Sequence, residues 1–243
     1  MPLKVQLISP IEGTDFSPLF ASDEAVNKMI EDDKYYIVTN AGNNNLFVGG
    51  GGINGAFRSN VAHKFGNDEV DCLNNQLQSY SCNDDGEAYP LNFSDDVVEK
   101  HRCLGMIYAV GPDESGSELD ITKSNEFLFK LKRTGMEIAK CIALKYNDRI
   151  KIRTLRMPII SGAIFKPSAI TLCSTKGTQS IVKNDTHISV IIFTELLQGI
   201  LTGLSKTSHN LEVLEFYHDP FFNKVHDLKE FVSSQKLDIE FDF

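Results

Sequence analysis

Apolar and polar positions change period several times along this chain, and each change predicts a new element. Residues 4–9 alternate into a short strand, closed by Pro10 and the turn residues Glu12, Gly13, Thr14 and Asp15. Residues 22–30 read as a helix, with Ser22 as N-cap and Asp23 and Glu24 at its positive end. Residues 35–39 are rich in β-formers and lead into a glycine loop, after which 55–65 read as a helix stopped by Gly66. Residues 71–100 are polar with no clear period, and predict a short helix plus long loops with room for a hairpin.

The second half is more regular. Residues 104–110 form a continuous apolar run ended by Gly111 and Pro112, which predicts a buried strand. Phe127, Leu131, Ile138 and Ile142 recur at helical spacing within 124–146. Residues 150–160 are the next strand, with Pro158 near its end. Residues 166–185 read as an insertion rich in Ser, Thr, Lys and Gly. Ile192, Leu196, Leu197, Ile200 and Leu204 make 187–204 a helix, with Asp185 and Thr186 as caps. A last strand at 211–217 and a closing helix at 221–232 complete the pattern. Strands alternating with helices predict an α/β layered fold with a largely parallel central sheet, and ligands in such sheets bind beyond the carboxyl ends of the strands.

The composition narrows the class. The 243 residues suit one domain spanning 1–243, with insertions at about 71–100 and 166–185. A net charge of −9 and a pI near 5.2 oppose nonspecific nucleic-acid binding, which needs a basic face, so nucleic acid is not an expected partner. Five widely spaced cysteines (Cys72, Cys82, Cys103, Cys141, Cys173), with no CxxC or Cys/His cluster, predict no metal site and an intracellular, reducing compartment, cytoplasmic or nuclear. Cys103 and Cys141 sit in apolar stretches and read as core residues. The start, MPLKVQLISP, is too soon interrupted by Pro10 for a signal peptide, and no apolar run approaches the ~20 residues of a membrane span, so no membrane association is expected.

The candidate chemistry lies in two loops. An apolar strand end runs into Asn40 and Asn43, and then four consecutive glycines, Gly49, Gly50, Gly51 and Gly52, precede an apolar run. Glycines in a row accept positive φ and allow close backbone approach. At a helix start they aim several N–H groups at one spot, which favours an anion, usually phosphate. The second stretch, Met157 to Phe165, ends a buried strand in the small residues Ser161, Gly162 and Ala163 and the bulky pair Ile164 and Phe165.

Asn40-Ala41-Gly42-Asn43, then residues 49–52 with Ile53, then Ser161-Gly162-Ala163-Ile164-Phe165 resemble, in order and rough spacing, the three motifs of the macro domain family. That family carries Asn-Ala-Ala-Asn, a glycine run with an apolar residue, and a distant Ser-Ala-Gly-Ile-Phe. Met106 to Pro112 is similar to its middle strand, which ends in Val-Gly-Pro. The resemblance covers about residues 4–232. It implies a three-layer α/β/α sandwich with a mixed central sheet, binding ADP-ribose or an ADP-ribosylated protein in a crest cleft, with no cofactor and no metal. It places Asn43 on the distal ribose. Asn40, Gly50, Gly51, Gly52 and Ile53 line the ligand from one side, and Ser161, Gly162, Ala163, Ile164 and Phe165 line it from the other. Tyr217 falls where the family places an aromatic near adenine, and equally reads as an ordinary strand-end tyrosine. The adenine-reading acid is Glu12 or Asp15.

Where one hydrolase branch has an aspartate that orients the attacking water, this chain has Asn54, which is uncharged and cannot act as a base. Two functions are therefore expected. One is hydrolysis of ADP-ribose linkages on modified proteins by a substrate-positioned water, with Asn43 and Asn54 as the catalytic candidates. The other is a reader module that binds without turnover. A nucleophilic hydrolase lacks support: no Gly-x-Ser-x-Gly is present, and of six scattered histidines only His218 falls near the cleft, beside Phe221 and Phe222, which read as packing residues. Residues 166–185 read either as a lid over the ligand or as a surface loop.

Overall fold

The computed structural model describes residues 3–8, 19–146, 152–161, 165–174, 176–217 and 240–242, with the backbone alone described at 7, 8, 186, 217 and 240–242. The elements run in the order β1 (Lys4–Ile8), α1 (Asp23–Glu31), β2 (Tyr35–Gly42), α2 (Gly52–Phe65), α3 (Asn67–Leu77), β3 (Glu87–Asn92), α4 (Asp95–His101), β4 (Cys103–Val110), β5 (Glu118–Leu119), α5 (Ile121–Cys141), β6 (Ile152–Met157), β7 (Ala169–Cys173), β8 (Gln179–Val182), α6 (Asp185–Leu204), β9 (Val213–Tyr217) and β10 (Glu240–Asp242). The main sheet is ordered β10-β1-β9-β6-β2-β4-β3, and every pairing is parallel except β3 on β4.

The sheet is mixed and covered on both faces. Leu104, Ile107 and Ala109 of β4 pack into one core with Leu131, Ile138, Leu196 and Ile200 of α5 and α6. Cys103, Met106, Tyr108 and Val110, the alternate positions, pack into the other with Val26 of α1, Phe57 and Val61 of α2, Leu73 of α3 and Val97 of α4. Double burial is why β4 reads as an unbroken apolar run rather than an alternating one. The result is the expected three-layer α/β/α sandwich.

Local capping chemistry sets the helix starts. Ser22 accepts from the Ala25 N–H at 3.2 Å, as its position predicts. Asn184, rather than Asp185 or Thr186, caps α6 by accepting from His187 N–H at 3.1 Å, and Asp185 becomes its first residue. Asp120 caps α5 through Lys123 N–H at 2.9 Å, so that helix starts at Ile121, before the predicted 124.

Three expectations change. Residues 71–100 are not a loop-rich insertion: α3 starts earlier, at Asn67, and β3 and α4 follow. Pro90 hid β3, but an edge strand tolerates proline because it leaves no ladder partner unmade in the interior. Residues 166–185 are not a plain loop. They build the hairpin β7–β8, which joins β5 in a three-stranded side sheet. It is pinned by Thr171, whose N–H donates to Ser124 Oγ and whose hydroxyl donates to the Leu119 carbonyl. Finally, His187–Leu204 within α6 is long and apolar enough to cross a membrane by length and composition, contrary to the sequence estimate. Two thirds of that stretch is buried against the rest of the molecule, so here it is a core helix. Its packing on α5 is close: a Cβ on Gly199 would lie 2.1 Å from the Lys132 carbonyl, and one on Gly135 2.3 Å from that of Leu196. The predicted closing helix at 221–232 lies outside the described residues.

Candidate functional site

At β2 neighbouring strands send their chains to opposite faces of the sheet. β2 feeds α2 on one face, whereas β4 and β6, on either side of it, lead to α5 and α6 on the other. Such a switch point opens a gap over the carboxyl end of the middle strand. Its two walls meet over β2: Ser161, after β6, donates its hydroxyl to the Pro112 carbonyl, after β4, at 2.7 Å. Gly111 is required there, since a Cβ would sit 2.3 Å from Ile160 Cγ2.

The first loop supplies the polar wall. Asn43 opens a tight turn, its carbonyl accepting from Leu46 N–H and its side-chain oxygen from Asn45 N–H, both at 3.1 Å. That leaves the exposed Asn43 amide NH₂ as a donor, the chemistry a ribose hydroxyl oxygen needs. Gly49, Gly50 and Gly52 have φ of 158°, 89° and 60°, and Gly51 is the N-cap of α2. The helix thus begins inside the glycine run, three residues before the predicted 55. Its first four N–H groups have no partner within the helix. No acid stands in its first turn to compete for them. A Cβ on Gly50 or Gly51 would meet nothing within 4 Å, so both face open space. Gly55 is different: its Cβ would strike the Gly50 carbonyl at 2.2 Å, so glycine there lets the loop fold back on the helix.

Two predicted site residues, Asn54 and Asn40, hydrogen-bond within this loop and to each other. Asn54 is 6% exposed, and its Oδ1 accepts from Gly49 N–H (3.2 Å) and Asn40 Nδ2 (2.8 Å), while its own Nδ2 donates to the Phe47 carbonyl (2.8 Å). Asn40 is wholly buried. Both ends of the Asn54 amide are thus engaged within the loop and by Asn40, whereas the buried Asn40 Oδ1 has no hydrogen-bond partner among the described residues. Ile53 is half-buried and packs against the α5–α6 core.

Of the second loop, Ser161 and Phe165 are described, and Gly162, Ala163 and Ile164 lie outside the described residues. Ser161 is 4% exposed with φ of 59°, a conformation that costs a non-glycine residue about 1 kcal/mol and that its bond to Pro112 helps hold. Its hydroxyl is therefore committed to the wall. Phe165 is half-buried, and its carbonyl accepts from Glu114 N–H at 3.1 Å. Lys166 then ties the exit of the loop to the start of α6 through Asp185 at 2.7 Å and Ser189 at 3.3 Å. Glu12, Asp15, His218, Phe221, Phe222 and the Tyr217 side chain lie outside the described residues; the Tyr217 backbone ends β9, beside the crevice strands.

Sequence reading missed Tyr108. From β4 its hydroxyl accepts from the N–H groups of Asn43 (2.9 Å) and Phe47 (3.3 Å) and lies 3.2 Å from both of their carbonyls. Burial pushes its pKa up, which keeps the proton it donates. Gly42 is its complement, because a Cβ there would be 2.0 Å from Tyr108 Cζ. This explains glycine where the family motif has alanine. The available signal was that a buried tyrosine needs a hydrogen-bond partner for its hydroxyl. Phe47, half exposed, and the exposed Arg58 flank Gly49 at the rim. A surface depression of about 630 Å³ lined by Asp68, Asp71, Cys72, Asn75, Gln76 and Ser79 is a separate feature on and after α3.

Comparison with known proteins agrees with this architecture. No protein-family model matches the chain. It is 27% identical over 220 residues to the DNA/RNA-binding protein ALBA4 of Plasmodium falciparum (isolate 3D7), a match covering 68% of this chain and 56% of that protein. The chain thus spans about half the length of this curated relative. Among solved structures, the Oceanobacillus iheyensis macrodomain with MES bound matches with a TM-score of 0.52 at 16% identity, over 83% of this chain and 86% of that one. The same macrodomain with ADP gives 0.51 at 17%, over the same shares, and a mutant of it with ADPR gives 0.50 at 16%, over 82% and 87%. The fold is that of a macrodomain.

Proposed function

We propose that this protein binds ADP-ribose, free or attached to protein, with the diphosphate against the start of α2. One observation carries the reading: Gly50 and Gly51 present backbone to open space at a helix N-terminus with no acid in its first turn. The Asn43 amide stands upstream of them to donate to the distal ribose. Structural neighbours bound to ADPR and ADP support the same ligand class.

The geometry favours a binding module over a hydrolase. Asn54, at the place of the branch aspartate, is spent on the loop, and the described part of the first loop, residues 43–54, carries no carboxylate. Hydrolysis remains the second reading because the diphosphate and Asn43 could fix the sugar and a water without any protein base. Incubation with a mono-ADP-ribosylated protein separates them: release of ADP-ribose within hours establishes the hydrolase, and binding without release establishes the reader. The name of the Plasmodium relative raises nucleic acid as a ligand. The charge of −9 opposes contact along a phosphate backbone.

Gly51→Glu tests the site itself. The side chain enters open space from a backbone at φ −100°, which any residue adopts, and brings a carboxylate to the anion position. Calorimetry is expected to show no ADP-ribose binding, with the melting temperature and circular dichroism of the parent. Unchanged affinity overturns the proposed site.

A further inference from the structure

We infer that Tyr108 is a positioning residue that sets the preference of the crevice for ligands carrying a sugar beyond the diphosphate; this rests on the ADP-ribose reading above. Besides Asn74, which accepts from Val48 N–H, and Asp85, which accepts from Asn44, the first loop is held at its two halves by two different side chains. Asn54 braces the phosphate half, through Gly49 N–H. Tyr108 braces the sugar half, through the N–H groups of Asn43 and Phe47. The two meet at the Phe47 carbonyl, which accepts from Asn54 and lies within reach of the tyrosine proton.

The sugar half depends on its brace. Between Asn43 and Phe47 the chain makes its turn with Leu46 at φ 49°, an unfavourable conformation for leucine. Asn44 and Asn45 are exposed, and the stretch is otherwise tied down by Leu46, partly buried against the core, and by Asn44, whose Nδ2 donates to Asp85 Oδ1 at 3.1 Å. One hydroxyl closes the five-residue loop at both ends. It can reach the loop only because Gly42 has no Cβ. The backbone that carries Asn43, whose amide is turned locally by its bond from Asn45 N–H, is thus held in place by a group on β4.

Tyr108→Phe removes the hydroxyl and keeps the ring that packs β4 against α2 and α3. The full chain is titrated calorimetrically with ADP-ribose and with ADP, alongside Gly51→Glu as a control for the phosphate half. Loss of about one hydrogen bond's worth of ordering corresponds to an ADP-ribose dissociation constant raised about tenfold. The ADP constant is expected to stay within about twofold, so the selectivity ratio falls. Gly51→Glu loses both ligands. A ratio unchanged by Tyr108→Phe, with the parent binding both ligands, overturns the positioning role alone. A parent that binds neither overturns the ADP-ribose reading and this inference with it. A readout free of any variant is amide hydrogen exchange in the unliganded parent. Asn43 and Phe47 are expected to exchange more slowly than Asn44 between them, and equal rates overturn the brace.

Discussion

Asn54→Asp is the informative substitution, because it installs the carboxylate that one hydrolase branch of the resembling family uses. In this fold the side chain is buried with both ends engaged. Aspartate keeps the two acceptor contacts, with Gly49 N–H and Asn40 Nδ2, and loses the donor to the Phe47 carbonyl. A carboxylate oxygen then faces that carbonyl oxygen across the former 2.8 Å bond. The lost bond costs about 1 kcal/mol and the unpaired buried acceptor about 1–3 more, so about 2–4 kcal/mol in total. At about 2–4 °C per kcal/mol for a domain of this size, the melting temperature falls by about 4–16 °C at neutral pH. Protonated aspartic acid can donate to Phe47, so its folded pKa lies above the unfolded value of about 3.9. A group with a raised folded pKa stabilises below the unfolded pKa and loses that contribution as pH rises through the folded one. The deficit is therefore largest at pH 7.5 and shrinks toward pH 4. Differential scanning fluorimetry across that range measures it. A melting temperature equal to the parent's at pH 7.5, or a deficit that grows on acidification, refutes the brace. Release of ADP-ribose from a modified protein is not gained, and its appearance would show that position 54 faces the ligand after all.

Two further outcomes follow from packing and burial. Gly199→Ala puts a methyl group 2.1 Å from the Lys132 carbonyl and 3.1 Å from Gly135 Cα, so α5 and α6 must separate. The cost is about 1–3 kcal/mol despite alanine's better helix propensity, and an unchanged denaturation midpoint in urea would contradict it. Burial, and then Lys64, lower the pKa of His101, whose ring lies tilted against that of Phe65 with centroids 5.0 Å apart. Below about pH 6.5 the unfolded chain binds a proton that the folded one resists, so stability falls with acidification. His101→Phe is expected to flatten the melting temperature between pH 5 and 7, leaving the residual slope to His209 and the carboxylates, and an unaltered slope would rule it out.

Much of the fold was legible because its elements are long and their periods clean. The run at β4 and the helical spacing of α5 and α6 report directly which residues are buried on both faces or on one. β3 and α4 were hidden because edge elements need little apolar surface, and Pro90 mimics a breaker. The side sheet β5–β7–β8 was hidden for another reason: its anchor, Thr171, bonds to Ser124 and Leu119, some fifty residues distant, which no local pattern records.

The glycine run divides the same way. The sequence by itself determined that residues 49–52 permit backbone to approach an anion, since that is a local property of glycine. It also determined which strand and helix flank them. Only the tertiary structure decided what holds the loop in place. Asn40 read as a ligand contact and Asn54 as a catalytic candidate from their positions, and only the structure shows their amides bonded to each other. Tyr108, read only as one position of a buried strand, turned out to hold Asn43. The physical reason is that a side chain's type fixes which hydrogen bonds it can make, while the packing of distant strands fixes which partner lies within three ångströms to make them.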